Sequence, residues 1–99
     1  MKVKIQSVHF DADKKLISFV EERVNKLDSH FEGVIGTEVI LKLENSGATD
    51  NKVAEIIIKV AGNDLVAKKQ SSSFEAATDE ALEALRKQLQ KYKEKQKSI

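Results

Sequence analysis

Residues 2–44, KVKIQSVHFDADKKLISFVEERVNKLDSHFEGVIGTEVILKLE, change their hydrophobic period twice, and that double change decides the fold. In residues 2–10, Val3 and Ile5 alternate with Lys2, Lys4 and Gln6, the two-residue period of a half-buried strand. Val8 and Phe10 fall on the opposite parity, which predicts a bulge or a twist near Ser7. Asp11 or Asp13 then offers a carboxylate to free helix amides. Leu16, Val20, Val24, Leu27 and Phe31 follow at steps of four, four, three and four, one continuous helical stripe. Gly33 and Gly36 are read as ending this helix. Residues 37–44 return to alternation, with Val39, Leu41 and Leu43 on one face. A strand, a helix and a second strand in this order form a right-handed crossover, which makes the two strands parallel.

Further along, residues 52–61 and 64–70 read as two more strands, the first placing Ala54, Ile56, Ile58 and Val60 on one face. The polar stretch 45–51 is a loop, and Gly62-Asn63 reads as a tight hairpin turn. From Ser72 the period is helical. Ser72 and Glu75 fit a capping box, and Ala81, Leu82, Leu85, Leu89 and Tyr92 form the apolar stripe. Strands two to four are therefore an antiparallel meander, and two one-striped helices most simply share one sheet face. The fold class is α+β: β-α-β-β-β-α, a four-stranded mixed sheet with two helices packed on one face.

The 99 residues suit a single domain able to bury a core without staples. With no cysteine there is no disulfide, thiolate metal site or cysteine nucleophile. Only His9 and His30 bring imidazoles; His9 ends a strand, and His30 sits where a helix C-terminus favours a cation. No phosphate-binding glycine loop, nucleophile elbow or H-E-x-x-H occurs. The carboxylates fall mostly on polar faces, as solvated surface. No enzyme activity, metal or cofactor is therefore expected. The N-terminus alternates too strictly for a signal peptide, and no apolar run approaches a membrane span, so a cytoplasmic protein is expected.

A net charge of +1 hides a polarised C-terminal segment. Residues 1–73 hold eleven bases and eleven acids, and residues 74–85 hold four acids and no base. Residues 86–99 then carry Arg86, Lys87, Lys91, Lys93, Lys95 and Lys97 against Glu94 alone. On a helix, Arg86, Gln90, Lys93 and Lys97 run along one flank of the stripe, and Lys87, Lys91 and Lys95 along the other. Lysines at a helix C-terminus can simply be solvated partners of the dipole. Six bases in twelve residues exceed what an end needs, and Arg23 and Lys26 add bases to the first helix. Such a stripe suits a phosphate backbone. Phe10, Phe19, Phe31, Phe74 and Tyr92 show no interleaving on a strand, so RNA would be met by the helices, through charge and shape.

The segment Val20-Glu21-Glu22-Arg23-Val24-Asn25-Lys26-Leu27-Asp28-Ser29-His30-Phe31 resembles the first-helix signature of the ribosome hibernation promoting factors, also called ribosome-associated translation inhibitors. Lys87-Gln88-Leu89-Gln90-Lys91-Tyr92-Lys93-Glu94-Lys95 resembles their second-helix signature, and the element order agrees throughout. The resemblance implies one ribosome-binding domain over residues 1–99, with the small ribosomal subunit and its rRNA as partner. It implies a protein that occupies the channel between head and body, competes with mRNA and tRNA, and stops translation without chemistry. Arg23, Lys26, Lys87, Lys91, Lys93 and Lys95 match basic positions of the family, Asp79 an acidic one, and His9 a histidine ending the first strand; Arg86 and Lys97 come from the charge pattern alone. Where the family often has Asp-Met-Tyr this chain has Ser73-Phe74-Glu75, so any role of that tyrosine does not transfer. Ser29 and Gln90 replace bases common in the family. The chain reads as a short form without the pairing domain, and a monomer is expected.

Two other readings stand beside this one. Ile40, Ile57 and Val66 lie off the inward parity and would form an apolar patch on the open sheet face, suited to a protein–protein interaction domain. A generic double-stranded RNA binder would also fit the helix charge.

Overall fold

The computed structural model describes residues 3–44 and 50–97, with side chains through Glu94. Its elements are β1 (Val3–Val8), α1 (Lys14–Asp28), β2 (Val34–Leu43), β3 (Lys52–Val60), β4 (Asn63–Ser71) and α2 (Phe74–Lys97). The sheet is ordered β1-β2-β3-β4, with β1 parallel to β2 and the other pairs antiparallel. This is the α+β arrangement that the periodicity predicts. Residues 45–49 of the expected 45–51 loop lie outside the described residues.

The core is the space between the sheet and the two stripes. Leu16, Val20, Val24 and Leu27 of α1, and Ala77, Ala81, Leu82, Leu85 and Leu89 of α2, pack on Val39, Leu41, Ala54, Ile56, Ile58, Val60, Leu65 and Ala67. Phe31 falls beyond α1 yet remains half-buried against this core. Two side chains bind α2 to edge strand β4 and its turn: the Gln88 amide donates to the Val66 carbonyl at 3.0 Å, and the Tyr92 hydroxyl to the Ala61 carbonyl at 3.2 Å. An edge carbonyl satisfied in this way is closed to a further strand.

Element ends depart from the sequence reading, each for a local reason. Asp13, rather than Asp11, caps α1, accepting from the Leu16 amide at 2.8 Å. The cap of α2 is Ser73, not Ser72: its hydroxyl accepts from the Ala76 amide at 3.1 Å, so Glu75 sits too early to complete a capping box. Helix α1 stops at Asp28, before either glycine, with Ser29 as its C-cap. Gly33 takes φ +92° at the turn into β2, whereas Gly36 lies inside β2 beside a bulge that leaves Ile35 67% exposed. The β3–β4 turn is Ala61-Gly62, one residue earlier than Gly62-Asn63, because Asn63 pairs with Val60 and only Gly62 takes a positive φ, +78°.

The parity break near Ser7 also has another origin. β1 runs in register to Val8, opposite Lys42, and the reversal falls on His9, whose φ is +68°. The left-handed residue turns Phe10 back toward the helix layer, where its ring stacks on Phe74 at 4.4 Å.

One carboxylate breaks the solvated pattern. Asp28 is 1% exposed at the end of α1, and its Oδ2 accepts from the buried Thr37 hydroxyl at 3.1 Å, joining helix to β2. Its Oδ1 has no partner among the described residues. Burial pushes this carboxyl above its ordinary value, against the opposing Thr37 hydrogen bond.

Two outcomes follow. A β-branched residue is strained in the left-handed region, where asparagine is tolerated. In chemical denaturation His9→Val is expected to cost about 1–2 kcal/mol and His9→Asn to be close to neutral. For Asp28 the folded-state value is raised, so its stabilising contribution is present at low pH and lost as pH rises through that value. Asp28→Asn keeps an acceptor for Thr37 and removes the charge. Its melting temperature should exceed that of the wild type at pH 7, and the gain should vanish as pH falls into the ordinary aspartate range.

Candidate nucleic-acid interface

Because α1 and α2 lie side by side on the sheet, their outer flanks form a groove of about 360 Å³. Arg23, Lys26 and Leu27 line it from α1, with His30 just past the helix end. Asp79, Leu82, Glu83 and Arg86 line it from α2. Both sets recur at three- and four-residue steps, which places each on one strip beside the buried stripe. Leu27 and Leu82 also belong to the core, so they form the apolar floor.

The two arginines are held differently. Arg86 donates from Nε to Glu83 Oε2 at 3.1 Å and from Nη2 to Glu83 Oε1 at 2.6 Å, a fork that uses both carboxylate oxygens. The guanidinium holds the Glu83 carboxyl below its usual range, and the carboxylate in turn raises Arg86. Both groups face solvent, so the pair orients more than it stabilises. Arg23 lies with its guanidinium carbon 4.8 Å from the Phe19 ring centroid, and its Nε is 3.8 Å from Asp79 Oδ1, an ion pair too long to be a hydrogen bond.

The basic positions read from the sequence thus divide into two groups rather than one stripe. Arg23, Lys26 and Arg86 meet in the groove. Lys93 continues that side, its Nζ 6.0 Å from the Phe31 ring centroid. Lys87 and Lys91 are exposed one turn apart, and helix geometry puts them on the other flank of α2. The backbone of α2 runs through Lys95 and Lys97, but their side chains lie outside the described residues. Among the described residues no carboxylate lies within ion-pair distance of Lys87, Lys91 or Lys93.

Sequence reasoning assigned no binding role to His30 and Glu83 and kept Asp79 only as a family match. The signal was present: Lys26 to His30, and Asp79 to Glu83, are single helical turns, so a wheel drawn for acids and bases together would have placed them beside Arg23 and Arg86. Among the described residues no group of three or more His, Asp or Glu could hold a metal ion, and no helix is long and apolar enough to cross a membrane. On the open sheet face Val66 is 45% exposed and Ile40 and Ile57 are half-buried.

Comparison with known proteins places this geometry in a family. The chain is 32% identical over 99 residues to the ribosome hibernation promoting factor of Pseudomonas putida, covering 100% of this chain and 93% of that protein. The factor of the same name from Azotobacter vinelandii is 31% identical over 96 residues, covering 97% of this chain and 86% of its own. Two solved structures share the fold, each with a TM-score of 0.77. They are the N-terminal domain of Thermus thermophilus Protein Y, at 22% identity over 93% of this chain and 99% of that one, and a ribosomal subunit interface protein from Coxiella burnetii, at 18% identity over 94% and 98%. The profile of the Sigma 54 modulation protein / S30EA ribosomal protein family matches residues 3–97, so the chain, together with the ribosome hibernation promoting factors it resembles along its whole length, belongs to that family.

Proposed function

We propose that this protein is a ribosome hibernation factor that binds the small ribosomal subunit and inhibits translation by occupying the channel used by mRNA and tRNA. The observation that carries this reading is the end-to-end likeness to proteins named ribosome hibernation promoting factor. The helix surface agrees with it in kind: Lys87, Lys91 and Lys93 are exposed and have no acidic partner among the described residues, which suits phosphate, since each cation that meets a phosphate releases a counterion. The partner is small-subunit rRNA, met by Arg23, Lys26, Arg86, Lys87, Lys91, Lys93, Lys95 and Lys97.

The mode is occupancy, without metal or cofactor. The groove's ionisable groups are arranged as ion pairs, Arg86 with Glu83 and Arg23 beside Asp79, and not as a nucleophile with its base. A ribosome-bound protein works in the cytoplasm. It does so as a monomer, since both apolar stripes are consumed by one sheet face. Interaction through the open face is the weaker reading, because the Glu38–Lys59 ion pair, 3.4 Å long, interrupts the patch beside Ile57.

Co-sedimentation with purified subunits at two salt concentrations tests the proposal. The protein should pellet with small subunits in preference to large ones, and equal or absent binding at moderate salt would refute it. The Lys87→Gln, Lys91→Gln, Lys93→Gln triple variant should stay folded, because glutamine and lysine differ little in helix propensity and none of the three is buried. Its log–log salt slope for small-subunit binding should fall by about 0.7–0.9 for each phosphate no longer neutralised. An unchanged slope would mean that these lysines are only a solvated helix end.

A further inference from the structure

A phosphate alone does not account for the groove's composition. Asp79 and Glu83 line it together with Arg23, Lys26 and Arg86, and carboxylates repel a phosphate at close range. The acids are not equivalent. Both oxygens of Glu83 are taken by Arg86, whereas Asp79 makes no hydrogen bond among the described residues and stands 3.8 Å from Arg23 with its acceptor capacity unspent. Beside it, the Arg23 guanidinium carbon lies 4.8 Å from the Phe19 ring centroid, a cation–π contact that restrains the side chain, and a restrained planar guanidinium is a surface on which a base can stack. Leu27 and Leu82 supply an apolar floor. A stacking plane, an apolar floor and one free carboxylate are what an extruded nucleobase needs.

Resting on the reading that this surface meets RNA, we infer that the groove is a reading pocket for a single unstacked guanine. The base lies on the Arg23 guanidinium above Leu27 and Leu82, its N1–H and N2–H₂ donate to the Asp79 carboxylate, and Lys26 and Lys93 meet the neighbouring phosphates. Guanine is selected because its Watson–Crick edge places two donors side by side, matching the two oxygens of one carboxylate. Adenine and cytosine put an acceptor beside their amino group, and uracil flanks its single imino donor with carbonyls. Glu83 acts as a positioning residue: by engaging Arg86 it keeps that fork off Asp79.

Fluorescence anisotropy of the full chain with short single-stranded RNAs of equal length tests the pocket. The RNAs are all uracil, or carry one central guanine, adenine, cytosine or inosine. The guanine RNA should bind about tenfold more tightly than the all-uracil RNA, and inosine, which lacks the exocyclic amine, should fall between them. Asp79→Asn should collapse the guanine preference while raising affinity for all-uracil RNA, because a repelling charge is removed; misfolding would instead lower both affinities. Arg23→Lys, which keeps the charge and loses the plane, should weaken the preference and leave the salt slope in place. Equal affinity for every RNA, or a guanine preference that survives Asp79→Asn, overturns the pocket. If small subunits still pellet with the protein in either case, the ribosome-binding reading stands without it; if they do not, both fall.

Discussion

Two helices, each with one apolar stripe, must be covered by one face of four strands. Strands spaced about 4.8 Å apart make a sheet whose width matches two helices packed about 8–10 Å from one another. Neither helix can be buried without lying beside the other, and the crossover that makes β1 and β2 parallel delivers α1 to the face that α2 also covers. The groove is a consequence of this packing. Residues one step away from each buried stripe, Arg23, Lys26, Asp79, Glu83 and Arg86, are brought together because the stripes themselves have no other place to go.

Charge is organised locally, against a nearly neutral whole. Inside the groove each arginine faces an acid: one in a tight fork, the other in a loose pair backed by an aromatic ring. On the outer turns of α2 the described lysines face water and no acid. Free surface cations supply long-range attraction that salt weakens, and held guanidiniums supply orientation. A binding surface that separates the two can draw in a polyanion along its rim while reserving its concave part for groups that tolerate carboxylates.

Most of the architecture was legible in the sequence, because period is a physical signal. Alternation at Val39, Leu41, Ile56 and Ile58, and helical spacing at Leu16, Val20, Val24 and Leu85, reflect burial on one side, and all of these residues are in the core. The misreadings cluster at element ends. Ser72 and Ser73 are equally good caps by composition, and which hydroxyl meets a free amide depends on where the chain leaves β4. Gly33 and Gly36 are both plausible helix stops, yet α1 ended earlier, at the residue where Asp28 meets Thr37. The reversed parity of Val8 and Phe10 signalled a break in the strand but not its place or kind, since nothing in the His9 side chain requires a left-handed turn.

The sequence by itself determined the order of elements, their inward faces, the polarised second helix and the family signatures, because each depends only on residues near one another along the chain. The tertiary structure decided which bases share a site. Arg23 and Arg86 are far apart in sequence and belong to helices whose relative rotation is set by how Leu27, Leu82 and Leu85 fill the space above the sheet. That Lys87 projects from the other flank of α2 than Arg86 was already set by the step of about 100° between successive helix residues; which flank faces α1 was not. The Arg86–Glu83 fork is local, three residues apart on one helix, but the approach of Arg23 to Asp79 and the burial of Asp28 against Thr37 are long-range outcomes, fixed by packing that no local pattern encodes.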